Sequence, residues 1–194
     1  MRKFLKYGMI PALSATLMTG CVKMVDDAYV NPNAQVVKPI EELLPGLIDA
    51  MGGATGGSDL LGSVWAMHYY GQGQNLNRVI QWGTEQEKWD YVGVAYAIRS
   101  WGWLTLTNVY GEAILKQAFN TSQRVFDYDT QEEIYAEVRR TAHLAIQHLE
   151  MTGGNVSQQN LAKGDQYMYN GDVNKWKKFA YGVLARSFNH LTNK

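Results

Sequence analysis

The sequence predicts an all-α protein built from antiparallel helical hairpins, and three observations support this fold class. Apolar residues recur at intervals of three and four in several segments, which is the period of a helix packed on one face. Two Thr-x-x-Glu sequences, Thr84–Glu87 and Thr130–Glu133, match the capping box found at helix starts. No segment shows the strict alternation of apolar and polar residues that indicates a half-buried strand.

Composition and charge narrow the classes of function. The chain has 194 residues with 18 basic and 18 acidic side chains. If the first 20 residues are removed, Arg2, Lys3 and Lys6 are lost, and 15 basic and 18 acidic side chains remain. This argues against a broad nucleic-acid footprint, which needs an excess of clustered Lys and Arg. Apolar residues make up 46% of the chain, so a folded core is expected. The single cysteine excludes an internal disulfide.

Residues 1–20 have the organisation of an export signal. A cationic start is followed by an uncharged apolar stretch that is too short to span a bilayer. The small residues Thr19 and Gly20 then precede Cys21, the only cysteine. This arrangement resembles a bacterial lipobox, in which the cysteine is lipidated, and residues 21–36 would form a tether. A small buried thiol and an ordinary secretory signal are the alternatives.

The first part of residues 37–194 is predicted to contain two helices and two loops. A helix over Pro39–Met51 is expected to be bent or broken at its internal Pro45, because proline lacks the N–H of the helical ladder. A glycine-rich loop should follow over residues 52–57. A second helix is expected over Ser58–Tyr70, capped by its first residue. The polar, glycine-rich residues 71–83 are predicted to form a loop.

Three longer helices are predicted in the second part. One runs from about Glu85 to Asn108 and is apolar nearly all round, which places it at the centre of its domain. A loop over residues 109–129 leads to a helix from Thr130 to about Met151. After a polar loop over residues 156–171, Asp172 should cap the last helix.

These helices alternate as in tetratricopeptide-like arrays, although no 34-residue repeat is legible because the loops are long and unequal. Long loops of this kind are often functional. We expect residues 37–194 to be the N-terminal part of a longer α-helical domain, which is incomplete here.

The sequence offers little support for catalysis or metal binding. His143 and His148 are five residues apart, so on a helix they point in different directions and cannot share an ion. There is no glycine-rich phosphate loop with lysine and no nucleophile elbow. A glycosidase needs two carboxyl groups across a cleft. The acids Asp127 and Asp129 could supply such a pair, but a solvated helix start explains them equally well. No cofactor or metal is expected.

Aromatic residues are concentrated in residues 65–110, which hold ten of the 18 Trp and Tyr residues. Those at helical spacing are expected in the core. In a polar loop, however, an aromatic ring beside amides suits a sugar, because the ring face stacks and the hydroxyl groups pair with the amides. We predict four ligand-binding residues: Tyr70, Asn75, Asn77 and Trp82. The alternative is that the tryptophan is a plug folded back onto the core.

Four segments resemble the SusD/RagB family, the SusD-like nutrient-binding lipoproteins of Bacteroidetes, of the group 2 starch-binding-associated type. Asn31–Asn33 matches the family's Asn-Pro-Asn start, and Tyr128–Tyr135 matches its Y-D-T-Q-E-E-I-Y segment. Trp103–Glu112 matches a helix leading into a D-V-Y-G-D turn, with Asn and Glu in place of its two acids. Tyr169–Arg186 matches a segment that begins Y-x-G-D-x-x-K-W-x-K-F-A.

The resemblance implies an all-α, tetratricopeptide-like scaffold of SusD-like type with a ligand site built on loops. It implies a lipid-anchored, surface-exposed lipoprotein of the outer membrane that captures starch-like or other oligosaccharides, or peptides. The partner would be a SusC-like TonB-dependent transporter that receives the ligand. Catalytic residues are absent from this family. A surface glycoside hydrolase and a protein- or peptide-binding helical adaptor are the alternatives.

Replacing Cys21 tests the predicted lipid anchor. Cys21→Ala should release the protein from membranes and abolish labelling with a radioactive fatty acid, because the thiol is the acylation site. Val22→Ala, one residue further on, is the matched control and should remain membrane-bound. Equal membrane association of the two variants would contradict the prediction.

Overall fold

The structure is a computed structural model that describes residues 39–56 and 60–191. The predicted signal, Cys21 and the tether lie outside the described residues. The α-helices are α1 Ile40–Gly56, α2 Leu60–Ala66, α3 Gly73–Glu85, α4 Trp89–Tyr110, α5 Gln131–Leu149, α6 Gln158–Gly164 and α7 Val173–Asn189. A π-helical segment, Met67–Gln72, joins α2 to α3 without interruption. Because the described part contains helices and no strand, the all-α prediction is confirmed.

Helix α4 is the centre of the molecule. Fourteen of its 22 residues are buried, and they lie on all its faces. The side chain of Trp103, for example, is only 2% exposed. A helix enclosed in this way must be surrounded by others, and α3, α5 and α7 supply most of its cover. The predicted central helix is thus confirmed.

Helices α4 and α5 form a closely packed antiparallel hairpin. The Ser100 hydroxyl donates a hydrogen bond to the Val138 carbonyl at 2.9 Å, so one helix side chain reaches the backbone of the other. At Gly93 an added Cβ would lie 2.5 Å from the Leu149 Cγ. Small residues at these crossing points therefore allow the short distance between the helix axes.

Helix α1 differs from its prediction, because it runs through Pro45 and on to Gly56 without a break. The predicted loop over residues 52–57 is therefore helical as far as Gly56. The apolar face of α1, formed by Ile40, Leu44 and Leu47, is fully buried. Burial of this face outweighs the hydrogen bond lost at proline and the low helix propensity of the glycines.

The predicted loop over residues 71–83 is wrong, since these residues complete the π-helical segment and form most of α3. The sequence hides an amphipathic helix there: Leu76 and Val79 are fully buried, and polar side chains cover the other face. The capping box predicted at Thr84 is also wrong. Its hydroxyl donates to the Ile80 carbonyl within α3, and α4 begins only at Trp89.

Two other helix starts agree with the sequence. Thr130 forms a complete capping box with Glu133, in which each residue accepts a hydrogen bond from the backbone N–H of the other. Asp172 accepts hydrogen bonds from the first turn of α7. The predicted loop over residues 156–171, however, contains the short helix α6, which is capped by Ser157.

A buried carboxylate organises the chain between α6 and α7. Asp165 is fully buried and accepts hydrogen bonds from the Tyr169 and Gly171 backbone N–H groups. It also accepts one from the Trp176 indole N–H at 2.7 Å. Three donors satisfy the acid, so its burial is not left uncompensated.

Among the described helices, none is long and apolar enough to cross a membrane.

Removing this carboxylate should destabilise the fold. Asp165→Ala leaves three N–H groups without their acceptor, two of them buried, so we expect the free energy of unfolding to fall by roughly 3 kcal/mol. Chemical denaturation measures this change. Asp49→Ala, at an exposed acid on α1, is the control and should change stability by less than about 0.5 kcal/mol. Similar values for both variants would contradict the assignment.

Candidate functional site

An aromatic cavity lies between the π-helical segment and the loop over residues 111–130. Its volume is about 420 Å³. We call this space the aromatic cavity, and its lining residues are Trp65, Tyr69, Tyr70, Gln74, Ile114, Ala118, Phe119, Asn120, Thr121 and Phe126. None of these side chains carries a charge, and five of them are aromatic. Such a surface stacks on apolar ring faces and does not favour an ionic ligand.

The π-helical segment explains why aromatic side chains reach this cavity. Val64 before it, His68 within it and Leu76 after it are all buried in the core. The wider turn accommodates an extra residue while the faces of α2 and α3 both stay inward. As a result Tyr70 projects outward and is 79% exposed, although its neighbour Tyr69 is half-buried.

Trp65 is the centre of a cluster of rings at the cavity rim. Its ring centroid lies 4.6 Å from that of Tyr69, 5.2 Å from that of Tyr110 and 6.2 Å from that of Tyr128. Aromatic pairs at these separations stabilise one another beyond simple burial. The indole plane is therefore held in position before any ligand arrives.

Two hydrogen bonds and one close contact attach the loop to the helices. The Tyr69 hydroxyl donates to the Ile114 carbonyl at 2.8 Å, and the Gln74 amide donates to the Phe119 carbonyl at 3.0 Å. The Phe119 ring rests directly on the backbone of Gly73, where any Cβ would lie 1.9 Å from it. Glycine at this position is therefore a requirement of the close approach.

Asp129 closes the loop at its base, and we call its set of interactions the Asp129 clip. Its backbone pairs with that of Ala113, and one carboxylate oxygen accepts the N–H groups of Leu115 and Lys116 at 2.8 and 2.9 Å. The other oxygen lies 3.0 Å from the Lys116 ammonium, which also contacts Glu133. Desolvation opposes the charged form, but these donors outweigh it and lower the pKa of Asp129.

A second, more open depression adjoins the aromatic cavity and shares Trp65 and Tyr70 with it. Its volume is about 550 Å³. Tyr110, Tyr128 and Glu112 also line it. Glu112 is the one carboxylate on the walls of these two described depressions. In the described part of the chain no group of three or more His, Cys, Asp or Glu side chains is placed to hold a metal ion.

The structure separates the four predicted ligand-binding residues. Tyr70 lines the aromatic cavity, whereas Asn75, Asn77 and Trp82 do not. Asn75 accepts a hydrogen bond from Arg78, and Asn77 accepts one from Arg99. Trp82 is half-buried and packs against the hydrophobic core. A role of Asn75, Asn77 and Trp82 in ligand binding stays a prediction, and these three residues lie outside the lining of the aromatic cavity.

The loop side of the cavity was not found by sequence reasoning. Phe119, Asn120, Thr121 and Phe126 lie in a segment for which the sequence predicted only a loop. The available signal was local: two phenylalanines in a polar stretch of about twenty residues. Their meeting with the π-helical segment depends on contacts between residues about 45 positions apart, such as that between Tyr69 and Ile114.

Comparisons with known proteins agree on the family. The family model described as "Starch-binding associating with outer membrane", of SusD-like type, matches residues 58–187, about two thirds of the chain. No curated protein matches. The crystal structure of a SusD/RagB family protein from Bacteroides thetaiotaomicron superposes with a TM-score of 0.55 at 23% identity.

This structural match covers 76% of the present chain and 33% of the other, so the chain spans about one third of that protein's length. At this level of identity the match supports the fold alone. The family model, the all-α fold and the motifs in Tyr128–Tyr135 and Tyr169–Arg186 together lead to one conclusion: the chain belongs to the SusD/RagB family of SusD-like proteins.

Proposed function

We propose that the protein captures neutral glycans, starch-like oligosaccharides in particular, in the aromatic cavity. The observation that carries this proposal is the exposed ring of Tyr70 beside the fixed indole of Trp65, in a cavity without charged side chains. A sugar ring has apolar faces that stack on such rings, while its hydroxyl groups pair with amides and hydroxyls. Asn120 and Thr121 on the rim supply these polar partners.

The adjoining depression fits an elongated ligand. Trp65 and Tyr70 belong to both spaces, so one aromatic wall runs along both. A chain of several sugar units can contact this wall at more than one unit, and each further contact adds affinity without a new binding event. We therefore propose an oligosaccharide, rather than a single sugar, as the ligand.

Binding is favoured over hydrolysis by the positions of the carboxylates. A glycosidase places two carboxyl groups about 5–9 Å apart across its cleft. Here Asp129 is engaged in the clip. The Asp127 carboxylate accepts a hydrogen bond from the Gln117 amide, and the Asp127 backbone N–H donates one to the Gln117 amide oxygen. Members of a family whose model is described as starch-binding are binding proteins, which agrees with this assignment. A peptide with apolar side chains is the second candidate, because Ile114 and Phe126 add aliphatic and aromatic surface.

The family's association with the outer membrane gives the proposed cellular role. We propose that acylation of Cys21 anchors the protein in the outer membrane, exposed at the cell surface. The captured glycan would pass to a SusC-like TonB-dependent transporter. Loss of growth on the glycan after deletion of the gene, with growth on glucose unchanged, would support this role.

Truncation of the exposed ring tests the site. Tyr70→Ala should weaken binding of the cognate oligosaccharide about fivefold, because one stacking contact is lost. Its melting temperature should not change, since the ring is 79% exposed. Isothermal titration calorimetry with maltoheptaose, cellohexaose and xylohexaose measures the effect. Tyr181→Ala, which removes an exposed tyrosine from α7, is the control. Equal affinities for these two variants, or binding of apolar peptides alone, would contradict the proposal.

The Asp129 clip should position the loop for binding. In Asp129→Ala the loop is released, and a tenfold smaller population of the competent conformation would raise the apparent Kd roughly tenfold. Glu132→Ala, at an exposed acid in the first turn of α5, is the control. The lowered pKa of Asp129 gives the sign of the pH dependence: the clip is intact above the ordinary carboxyl range, about pH 4, and is lost as the pH falls further. Affinity that is constant from pH 7 to pH 3 would contradict this role.

A further inference from the structure

Two buried polar side chains behind the rings of the aromatic cavity carry polar atoms without hydrogen-bond partners. Four buried side-chain polar atoms are unpartnered in the described part of the chain, and three of them are His68 Nδ1, His68 Nε2 and Gln72 Oε1. Both residues belong to the π-helical segment and are at most 2% exposed. A buried polar group without a partner costs about 1–3 kcal/mol, so an arrangement that retains three such atoms side by side needs an explanation.

The two side chains converge on one point of α4. A Cβ added at Gly102 would lie 2.9 Å from His68 Nδ1 and 3.1 Å from Gln72 Oε1. The other end of the Gln72 amide is fixed, because its Nε2 donates to the Leu47 carbonyl at 3.1 Å. The amide oxygen therefore cannot be exchanged for the nitrogen by a simple flip without losing that bond. The geometry presents a ring nitrogen and an amide oxygen together.

The imidazole is neutral and is surrounded by rings. Burial lowers the pKa of His68 to about 3. Its ring centroid lies 4.1 Å from that of Trp103, 5.1 Å from that of Tyr69 and 6.1 Å from that of Phe119. A neutral imidazole has one N–H donor and one acceptor nitrogen, which matches a hydroxyl group, itself both donor and acceptor. The nearby positive charge of Arg99 lowers the pKa of His68 in the same direction, which also keeps the imidazole neutral.

Phe119 separates this polar pair from the aromatic cavity. Its ring lines the cavity on one side and packs against His68 and Gly73 on the other. Phe119 has a backbone φ of 65°, in the left-handed region that a bulky residue rarely adopts. Its ring is half-buried and belongs to a loop, outside the helices.

We propose that Phe119 covers a polar subsite, formed by His68 and Gln72, which hydrogen-bonds a hydroxyl group of a neutral sugar held in the aromatic cavity. This inference rests on the proposed glycan-binding function. When the sugar enters and the phenylalanine ring moves aside, the hydroxyl satisfies atoms that have no partner in the closed arrangement. The subsite would favour neutral hydroxylated ligands over apolar peptides, which cannot supply that hydrogen bond.

His68→Phe separates a binding role from a structural one. Phenylalanine keeps the ring among its aromatic neighbours and removes both unpartnered nitrogens, so the melting temperature should stay the same or rise. Affinity for the oligosaccharide should fall about fivefold, the usual effect of one lost neutral hydrogen bond. The full-length protein is titrated with maltoheptaose, cellohexaose and xylohexaose. His143→Phe, the same substitution at an exposed histidine on α5, is the matched control.

Nitrogen-15 NMR of the histidine side chains gives a second readout. The His68 ring signals, assigned by their loss in His68→Phe, should shift when the bound oligosaccharide is added, and the His143 signals should not. Unchanged affinity in His68→Phe together with unshifted His68 signals would overturn the subsite and leave the glycan function standing. A lower melting temperature of His68→Phe together with unshifted His68 signals would identify His68 as a structural residue and would also overturn the subsite. If the unmodified protein binds none of the three oligosaccharides, both proposals fail.

Discussion

The enclosure of α4 on every side is the constraint on which the rest of the structure depends. A helix that is apolar nearly all round has no face to leave in water, so other helices must cover each of its sides. Close approach to α5 requires small residues at the crossings, as at Gly93 and Ser100. The chain segments that leave α4 cannot re-enter this packed core. The long loop after Tyr110 is therefore left at the surface, beside the π-helical segment.

That loop forms a wall of a defined cavity because it is attached at its base and in its middle. At the base, Asp129 joins the two ends of the loop and binds Lys116, while Lys116 also contacts the first turn of α5. In the middle, Tyr69 and Gln74 hold the loop backbone against the helix. The segment between these points is free of regular structure and carries Asn120 and Thr121 at its edge. A rigid helical wall thus faces a loop wall that is fixed at few points, which is a common arrangement in binding sites.

Whether a local sequence pattern begins a helix depends on tertiary contacts as well. Thr130 and Thr84 have the same Thr-x-x-Glu pattern, yet only Thr130 begins a helix. The difference is tertiary: Leu76 and Val79 hold α3 against the core, so Thr84 falls within an existing helix. The apolar residues of α4, by contrast, define a buried helix from the sequence alone. Amides and glycines around Trp82 suggested a loop because composition does not report which of them face the core.

The candidate site was predictable only in its helical half, for a related reason. The concentration of Trp and Tyr after residue 65 is visible in the sequence, and Tyr70 was identified from it. The π-turn that exposes Tyr70, and the loop that faces it, arise from contacts between residues far apart in the chain. No local pattern at Phe119 indicates that its ring will rest on the backbone of Gly73.

Several departures from local stability rules lie together behind the aromatic cavity, which is itself an argument for function. The π-turn, the positive φ of Phe119 and the unpartnered atoms of His68 and Gln72 are neighbours in space. Elsewhere, a buried acid such as Asp165 has three donors. Structural selection alone would remove the unpartnered nitrogens, since an apolar ring of the same shape would suit their aromatic surroundings better. Their concentration behind the aromatic cavity is what a binding surface retains when affinity for a hydroxylated ligand outweighs a gain in stability.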